Sequence, residues 1–369
     1  MNSPSIAPRA WVEVDLGALV RNARELARRA GVPLLPMVKA DAYGLGAAAV
    51  VDALESVEPW GYGVATVDEG VALRAIGIAR PIIVFTPVLV SEMPAVRQAE
   101  LRPALGDPAA IAAWAGAGPW HLSIDTGMNR AGLPWQQTAL LAEALRANPP
   151  EGVFTHFHSA ELDDGSTEVQ VDRFRRALAA LPARPAMVHV ENSPALERLH
   201  AASEWTVVRP GVFLYGVGTG GPIAPEPVAS LWARVVELRT IAAGESVSYH
   251  ATYVAPAARR VATVAAGYAD GYRRSLSNVG CVRVRGVEAP VVGTVTMDMI
   301  MVDVTEVPCV IGDAVQLIGD GTLGIESIAA RAGLSTYEIL VGLALRAPRV
   351  YTHSAPHGTP GVGGGTRDG

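Results

Sequence analysis

The sequence is poor in cysteine, in long apolar runs and in basic charge. Only Cys281 and Cys309 occur in 369 residues, which excludes a disulfide framework, and no Cys/His cluster has the spacing of a metal site. No run of about 18 apolar residues is present, so we expect no membrane-spanning helix. The formal net charge of −6 offers no basic surface for nucleic acid or an anionic membrane. The N-terminus lacks the apolar stretch of a signal peptide, so we expect a cytoplasmic protein.

The sequence has ample material for a core, with 50% hydrophobic residues, and its first two-thirds alternates short apolar runs with stretches of helical length. Such alternation predicts an α/β protein built from βαβ units around a parallel sheet. Eight runs fit an N-terminal (β/α)₈ TIM-like barrel, with a doubly wound open sheet as the alternative. The runs are 34–38, 62–65, 82–85, 103–105, 120–124, 153–157, 187–190 and 206–208.

The composition changes after about residue 218. Glycine and proline cluster within 219–230, which predicts a linker after a barrel spanning 17–218. Beyond it, short segments rich in Val, Thr and Arg predict a mostly-β domain over 231–357, with one late helix near 324–332. An extra strand within 1–16 precedes the barrel, and we expect it to pack with the C-terminal domain. The glycine-rich tail, 358–369, is expected to be disordered.

A lysine directly follows the first apolar run, in the string MVKADAYGLG at residues 37–46. On position alone it is a solvated lysine at a strand end, but in a barrel this end of the strands faces the active site. A lysine can form a Schiff base with an aldehyde cofactor, and Tyr43 could reach that cofactor's phosphate. The string resembles the cofactor-lysine signature of the alanine racemases, a fold type III family. The resemblance implies that Lys39 binds pyridoxal 5'-phosphate and that Tyr43 donates to its phosphate.

The string DTGMNRAG at residues 125–132 is similar to another stretch of this family. There the arginine, here Arg130, meets the substrate carboxylate, a role that suits its planar fork of donors. Many family members carry a lysine two residues before the aspartate, whereas this chain has Ser123. Another group must therefore orient Arg130.

Two further strand ends carry histidines. In the family's THF string, matched at 155–157, the histidine packs on the cofactor ring and bonds the catalytic tyrosine, which implies that role for His156. The string VHVENS contains His189, which resembles a histidine that supports an arginine at the cofactor's pyridine. Its Asn192 and Ser193 match an Asn-Ser pair near the phosphate. The neighbouring His158 matches no family role.

The string VRPGVFLYG at residues 208–216 resembles the family stretch that faces the pyridine nitrogen and the phosphate. The resemblance implies that Arg209 points at that nitrogen and that the amides of Gly211 and Val212 hold phosphate. An arginine can only donate to the nitrogen, which then stays unprotonated and makes the ring a weaker electron sink. Arg209 therefore favours racemisation over transamination.

The string VSYHATY at residues 247–253 lies in the β-rich half, where tyrosines are usually packing residues. It resembles a family motif whose first tyrosine is the second acid/base and works from the partner subunit. The resemblance assigns that role to Tyr249. The family often has glycine where this chain has His250, directly beside the catalytic position.

Three more strings complete the resemblance, which runs from residue 37 to 351. AGYADGY implies that Tyr268 lines the substrate entrance, and TMD implies that the amide of Met297 meets the substrate carboxylate, with Thr296 replacing a common cysteine. TYE implies that Tyr337 lies near the phosphate and shapes a small pocket. LRAPRVY, ending at Tyr351, resembles the close of the family's sequences.

The resemblance implies an isomerase that interconverts L-alanine and D-alanine, the latter a precursor of peptidoglycan. Proton removal on one face and delivery on the other needs two acid/base groups. Lys39 would take the α-proton of the D-enantiomer and Tyr249 that of the L-enantiomer. A tyrosine from a second subunit requires at least a homodimer with composite sites.

Three alternatives stay open on the sequence. A racemase of the same fold could act on serine or on a broader range of amino acids, although Tyr337 favours a tight pocket. A related amino-acid decarboxylase would share both domains, but the strings around Lys39 and Tyr249 resemble the racemase versions. A non-catalytic pyridoxal-phosphate-binding or homeostasis protein would need the barrel alone, and the complete second domain speaks against it.

Overall fold

The first part of the chain forms a parallel β/α barrel in the computed structural model, which describes residues 8–198, 204–343 and 346–354. Most residues of its regular strands are buried, because helices cover the outside and side chains fill the inside. Neighbouring strands pair in parallel, with Tyr62 opposite Ile82 and His121 opposite Gly152. The strands are Tyr62–Val64, Ile82–Val84, Arg102–Leu105, His121–Asp125, Gly152–Phe154 and Met187–His189, with a short Leu133–Pro134 beside the fourth.

The first and eighth positions of the barrel close the ring. Leu34 forms a parallel bridge with Val208, and Met37 forms one with Gly63. The Leu35 amide donates to the Val208 carbonyl at 2.8 Å, and the Val38 amide donates to Gly63 at 2.8 Å. These bonds join residues 34–38 to both neighbours, so the predicted eight-membered barrel is confirmed and the open sheet is wrong.

Helices surround the barrel, and capping residues in the sequence determine where the first of them begins and ends. The first, Leu16–Ala30, begins where Asp15 accepts the Ala18 amide at 3.0 Å and ends at Gly31. Its buried face, which includes Leu19 and Leu26, packs on the core. The other α-helices of the barrel are Ala47–Leu54, Val67–Ala75, Met93–Gln98, Pro108–Trp114, Ala142–Ala147, Ser166–Ala179 and Ser193–Arg198, with 3₁₀ turns Glu55–Val57, Val90–Glu92, Trp135–Leu141 and Val212–Tyr215.

The second domain is mostly β, as predicted, and includes the N-terminal strand. Ala10–Asp15 pairs antiparallel with the long strand Ala229–Ile241 and parallel with Arg349–Thr352. Because these three strands are adjacent, both ends of the described chain lie in one sheet. The other strands are Arg259–Val264, Cys281–Val284, Val287–Pro290, Ile300–Asp303 and Ala314–Ile318, with a separate hairpin of Ser246–Val247 and Tyr253–Val254.

Two late helices follow the sheet, where the sequence led us to expect one. Ile325–Ala332 corresponds to the expected helix, and Thr336–Val341 was missed. Ser335 caps the second helix by accepting the Glu338 amide while Glu338 reaches back, a capping box that the sequence does contain. The remaining 3₁₀ turns are Tyr249–Ala251, Tyr268–Asp270, Arg274–Leu276 and Gly321–Leu323.

The expected tail, 358–369, lies outside the described residues. Across the described ranges, no helix combines the length and the apolarity that crossing a membrane requires.

Candidate active site

A cavity of about 550 Å³ opens at the C-terminal ends of the barrel strands. Its size suits a small organic ligand, since such pockets usually measure about 300–1,000 Å³. Ten of the residues singled out from the sequence line it, although they come from six separate stretches of chain. They are Lys39, Tyr43, Arg130, His156, Asn192, Ser193, Arg209, Gly211, Val212 and Tyr337.

Lys39 begins a turn of unusual backbone geometry, which we call the lysine turn (residues 39–46). Ala40, Asp41, Ala42 and Tyr43 all have φ between 52° and 55°, the left-handed region that costs a non-glycine residue about 1–2 kcal/mol. The turn is closed internally, because the Ala42 amide donates to Val38 and the Gly44 amide donates to Ala40, each at 2.8 Å.

Glu69 fixes the start of the lysine turn and was missed in the sequence. Its Oε1 accepts the Ala40 amide at 2.6 Å, and its Oε2 accepts the Ala65 amide at 2.7 Å. Glu69 also completes a capping box with Thr66. The T-x-x-E spacing therefore predicts the helix cap, but it does not predict the hydrogen bond that Glu69 accepts from the Ala40 amide. Burial and then the charge of Arg130 lower the pKa of Lys39, which Glu69 opposes.

Tyr43 lies in an aromatic wall of the cavity. Its ring stacks on Tyr215 with centroids 4.6 Å apart and lies 6.3 Å from Tyr337, which comes from the second domain. A Cβ at Gly211 would lie 2.5 Å from the Tyr43 hydroxyl, so only glycine fits there. Burial raises the pKa of Tyr43, which keeps its hydroxyl a proton donor at neutral pH.

Arg209 is buried at the base of the cavity and held by four acceptors. Its Nη1 donates to Nδ1 of His189 at 2.8 Å and also to the His189 carbonyl, while Nη2 donates to Thr155 O at 2.8 Å and Val190 O at 3.1 Å. Among the described residues, the Nε–H has no acceptor. Burial lowers the pKa of Arg209 to about 9, so the guanidinium is charged at neutral pH.

A polar column continues from Arg209 through the barrel interior, where apolar side chains are usual. Nε2 of His189 is 2.8 Å from Nδ1 of His121, and Nε2 of His121 is 3.3 Å from Glu151. Arg102 pairs with Glu151 at 2.6 Å at the far end. His189 was predicted to support Arg209, whereas His121 and Glu151 were missed because a lone histidine in an apolar run carries no distinguishing pattern.

His156 and Arg130 also line the cavity. Burial, followed by the charges of Arg209, Arg130 and Lys39, lowers the pKa of His156 to about 3, so the imidazole is neutral. Arg130 is exposed, and Ser123 is in the lining of the same cavity.

Asn192 and Ser193 connect the seventh and eighth strand ends. The Ser193 hydroxyl accepts the Gly211 amide at 2.8 Å, and Asn192 Oδ1 accepts the Ala195 amide at 3.2 Å. Val212 begins a 3₁₀ turn, whose first amides lack partners within the turn. Ser193 Oγ also accepts the Phe213 amide at 3.4 Å, so the predicted phosphate donor at Gly211 is already bonded. Among the described residues the Val212 amide has no acceptor, and such a free amide at the start of a helical turn suits a phosphate.

The remaining predicted residues form a second group away from this cavity. Tyr249, Tyr268 and Met297 are not in its lining, and their exposed fractions are 68%, 37% and 51%. They are linked through their neighbours. Thr294 Oγ1 donates to the Tyr249 carbonyl at 2.9 Å, the Tyr268 amide donates to Thr296 O at 3.1 Å, and the Ala269 amide donates to the Met297 carbonyl at 3.1 Å.

Local geometry holds this second group in place. Ser248 and His250, on either side of Tyr249, have φ of 68° and 64°, so His250 adopts the conformation that glycine favours. Arg346 donates to both carboxylate oxygens of Asp270, at 2.9 and 2.8 Å, and to Asp298 at 2.6 Å. These bonds tie together the loops that carry Tyr268 and Met297.

Comparison with known proteins covers both domains. The family described as alanine racemase, N-terminal domain, matches residues 14–219, and alanine racemase, C-terminal domain, matches residues 228–351. The chain is 41% identical to an alanine racemase of Symbiobacterium thermophilum, covering 92% of this chain and 96% of the relative. It is 39% identical to one of Geobacter sulfurreducens, with the same two shares.

Solved structures agree with the sequence comparison. The alanine racemase of Bartonella henselae, described with covalently bound pyridoxal phosphate, superimposes with a TM-score of 0.88 at 30% identity, covering 94% of this chain and all of that one. The alanine racemase of Streptomyces coelicolor gives 0.87 at 32% identity, covering 94% of this chain and 98% of its own. With both domains matched and the cavity residues in one place, the chain belongs to the alanine racemase family.

Proposed function

We propose that this protein racemises alanine with pyridoxal phosphate as cofactor, using Lys39 and Tyr249 as the two acid/base groups. The observation that carries the proposal is the cavity itself. Three side chains line it together. They are the partly buried amine of Lys39, the guanidinium of Arg209, which can only donate hydrogen bonds, and a second guanidinium, that of Arg130. An amine suits the aldehyde, and the two arginines suit a ring nitrogen and a substrate carboxylate.

The cavity fits pyridoxal phosphate at both ends of that molecule. At one end the Nε–H of Arg209 is left for an acceptor, because the other four N–H groups have protein partners. At the other end Gly211 leaves room beside Tyr43, where a side chain would collide. Tyr43, Asn192, Ser193, Val212 and Tyr337 would hold the phosphate.

The chemistry that bound pyridoxal phosphate would supply is an electron-withdrawing ring, which makes the α-proton of the amino acid easier to remove. Arg209 offers a hydrogen bond to the ring nitrogen but keeps its proton, since its pKa stays near 9. His189 supports Arg209 by accepting from Nη1. We infer that this arrangement restrains electron withdrawal and so favours racemisation over transamination.

Lys39 and Tyr249 divide the proton transfers between the two faces of the α-carbon. The amine of Lys39 takes the α-proton from D-alanine, and the hydroxyl oxygen of Tyr249 takes the α-proton from L-alanine. Burial lowers the pKa of Lys39. The pKa thus moves towards neutral pH, where the amine must be unprotonated to act as a base. His156, neutral within the cavity, would bond the Tyr249 hydroxyl.

The substrate would be held by residues from both groups. Arg130 pairs with its carboxylate, to which the Met297 amide also donates, and Tyr268 lines the entrance. Tyr337, which lines the cavity, would restrict the space for the substrate side chain to about that of a methyl group. Because Tyr249, Tyr268 and Met297 are exposed on the second domain, we infer that a homodimer brings them to the partner's cavity.

The place of action follows from cysteine chemistry. Cys281 and Cys309 are both free thiols, which suits a reducing compartment. We infer that the enzyme works in the cytoplasm, where D-alanine would be available for peptidoglycan precursors.

A racemisation assay over L-alanine, L-serine and L-lysine tests the function. We expect D-alanine to form with kcat/KM at least about tenfold above the values for serine and lysine. Both side chains are larger than a methyl group, and a misfit of even one methylene in a tight apolar pocket is worth about 1–3 kcal/mol. A higher value for serine or lysine would replace alanine as the substrate. No racemisation of any of the three, with the cofactor bound, would support a non-catalytic binding protein instead.

A further inference from the structure

The lysine turn is held from outside by the last described strand of the second domain. Arg349 Nε donates to the Gly44 carbonyl at 2.8 Å, and its Nη2 lies 2.8 Å from Asp41 Oδ2. The Tyr351 hydroxyl donates to the Leu45 carbonyl at 3.1 Å. One short strand therefore contacts three successive parts of the turn that begins at Lys39.

The two surfaces are fitted closely to one another. A Cβ at Gly46 would lie 2.0 Å from the Tyr351 hydroxyl, and a Cβ at Gly44 would lie 2.9 Å from the Val341 carbonyl. Both glycines also have positive φ, 97° and 87°. The second domain thus approaches the backbone of the turn so closely that no side chain fits between them.

The turn needs such external contacts because its own residues do not favour its shape. Four non-glycine residues in succession are left-handed, a conformation that such residues adopt singly rather than in runs. Glu69 holds the first of them from the barrel side through the Ala40 amide. The rest of the turn, from Asp41 to Leu45, is bonded by Arg349 through a hydrogen bond and an ion pair and by Tyr351 through a hydrogen bond.

We propose that Arg349 and Tyr351 are positioning residues that hold the lysine turn, and with it the Lys39 amine, at the place where the cofactor aldehyde is received. This inference rests on the proposed function for the identity of the cofactor. It makes the second domain of each chain a support for the lysine of the same chain. The second domain would thus serve the cavity twice, through Tyr337 in its lining and through this strand beneath the turn.

The test measures how fast the protein, stripped of cofactor with hydroxylamine, recovers its visible absorbance when pyridoxal phosphate is added. We expect Arg349→Met to slow this uptake about tenfold, equivalent to about 1.4 kcal/mol, and to lower kcat in parallel. Arg349→Lys keeps the ion pair with Asp41 but loses the second N–H group that bonds Gly44. Its uptake rate should therefore lie between those of the wild type and Arg349→Met. Tyr351→Phe, which loses one hydrogen bond, should slow uptake about threefold.

Arg283→Met is the matched control. Arg283 is similarly buried, with 24% of its side chain exposed against 27% for Arg349, and it also makes an ion pair at 2.8 Å, with Asp320. All its partners lie within the second domain, so its loss should lower the melting temperature without changing cofactor uptake. A purely structural role for Arg349 predicts the same result for both variants.

The proposal is overturned if Arg349→Met takes up the cofactor at the wild-type rate, or if Arg283→Met slows uptake equally. Should Arg349→Met fail to fold, Arg349→Lys and Tyr351→Phe decide, and wild-type rates in both overturn it. If the wild-type protein binds the cofactor but does not racemise alanine, the proposed function fails while the uptake comparison still decides this inference.

Discussion

Arg209 sets the protonation of its neighbours, because an arginine can donate hydrogen bonds but not accept them. Nδ1 of His189 must accept from Arg209, so the proton of this neutral imidazole is on Nε2. That nitrogen donates to Nδ1 of His121, whose own Nε2–H then donates to Glu151. A cation at one end and a carboxylate at the other therefore fix both tautomers, and every member of the polar column has a matched partner.

The outer end of this column predicts a pH dependence of stability. Burial alone would raise the pKa of Glu151, but hydrogen bonds from His121 and Arg102 and the charge of Arg102 bring it down from 4.5 to about 2. A lowered pKa stabilises the fold while the unfolded carboxylate is ionised, and this contribution is lost as pH falls below about 4.5 towards 2.

Glu151→Gln should therefore lower the free energy of unfolding by about 1–2 kcal/mol at neutral pH. Urea unfolding should show the gap to wild type narrowing by about 1 kcal/mol between pH 7 and pH 4. Glu306→Gln, at an exposed position, should leave stability unchanged at both pH values. A gap that widens towards pH 4 would mean that Glu151 is not held ionised by its partners.

Tyr249 carries the sharpest prediction for activity at the residue scale. Tyr249→Phe should lower kcat for L-alanine by about 10²–10⁴-fold, the usual contribution of a general acid/base group. Cofactor uptake should be unchanged, because the substitution leaves Lys39, Tyr43 and Arg209, the residues proposed to hold the cofactor, in place. Tyr253→Phe, in the adjoining strand, is the control and should retain activity. Full activity of Tyr249→Phe would remove this hydroxyl from the mechanism.

At the element scale, the strands were predictable and the lysine turn was not. The run at 62–65 predicted Tyr62–Val64 because a strand covered on both faces must be apolar throughout. The turn has no such signature, since Ala40, Asp41 and Ala42 do not favour positive φ. Its shape is imposed by contacts with Glu69 and Arg349, which lie 29 and 308 positions beyond Ala40 and Asp41 in the chain.

The same comparison explains why the placement of Tyr249 apart from the barrel residues came from the family resemblance and not from the residues themselves. Motif strings predicted which residues belong to the site, and ten of them do line one cavity. The strings carry no information on which surface the hairpin around Tyr249 faces. That orientation depends on the packing of Ser248 and Thr294, whose hydroxyl and carbonyl are 2.7 Å apart.

The strain in the lysine turn can be measured with one substitution. Ala40 is exposed with φ of 52°. Glycine would remove the steric strain of this conformation in the folded state but would also give the unfolded chain more conformational freedom. The net effect of Ala40→Gly should be a free energy of unfolding higher by about 0.5–1 kcal/mol. Ala72→Gly, exposed within the helix Val67–Ala75, should lower it by about 1 kcal/mol. Urea unfolding of both variants checks the signs, and a loss in both would argue against strain at Ala40.

At the scale of the whole molecule, the two proposed acid/base groups are on separate surfaces of one chain. Lys39 is inside the barrel cavity, whereas Tyr249 has 68% of its surface exposed on the second domain. Tyr268 and Met297 are also exposed on this domain, and we propose that the partner subunit covers this surface. Two-fold symmetry would place each Tyr249 over the other chain's cavity and complete two equal sites.

Mixing two inactive variants distinguishes this arrangement from a site within one chain. Lys39→Ala and Tyr249→Phe should each be inactive as homodimers. In dimers formed at random from equal amounts, about half contain one chain of each kind. Each of these mixed dimers has one site with both substitutions and one with neither, so the mixture should recover about a quarter of wild-type activity. Co-expression with two different tags, followed by isolation of the doubly tagged dimer, should give about half. If Tyr249 acted on the Lys39 of its own chain, every site in the mixed dimer would lack one group, and no activity would return.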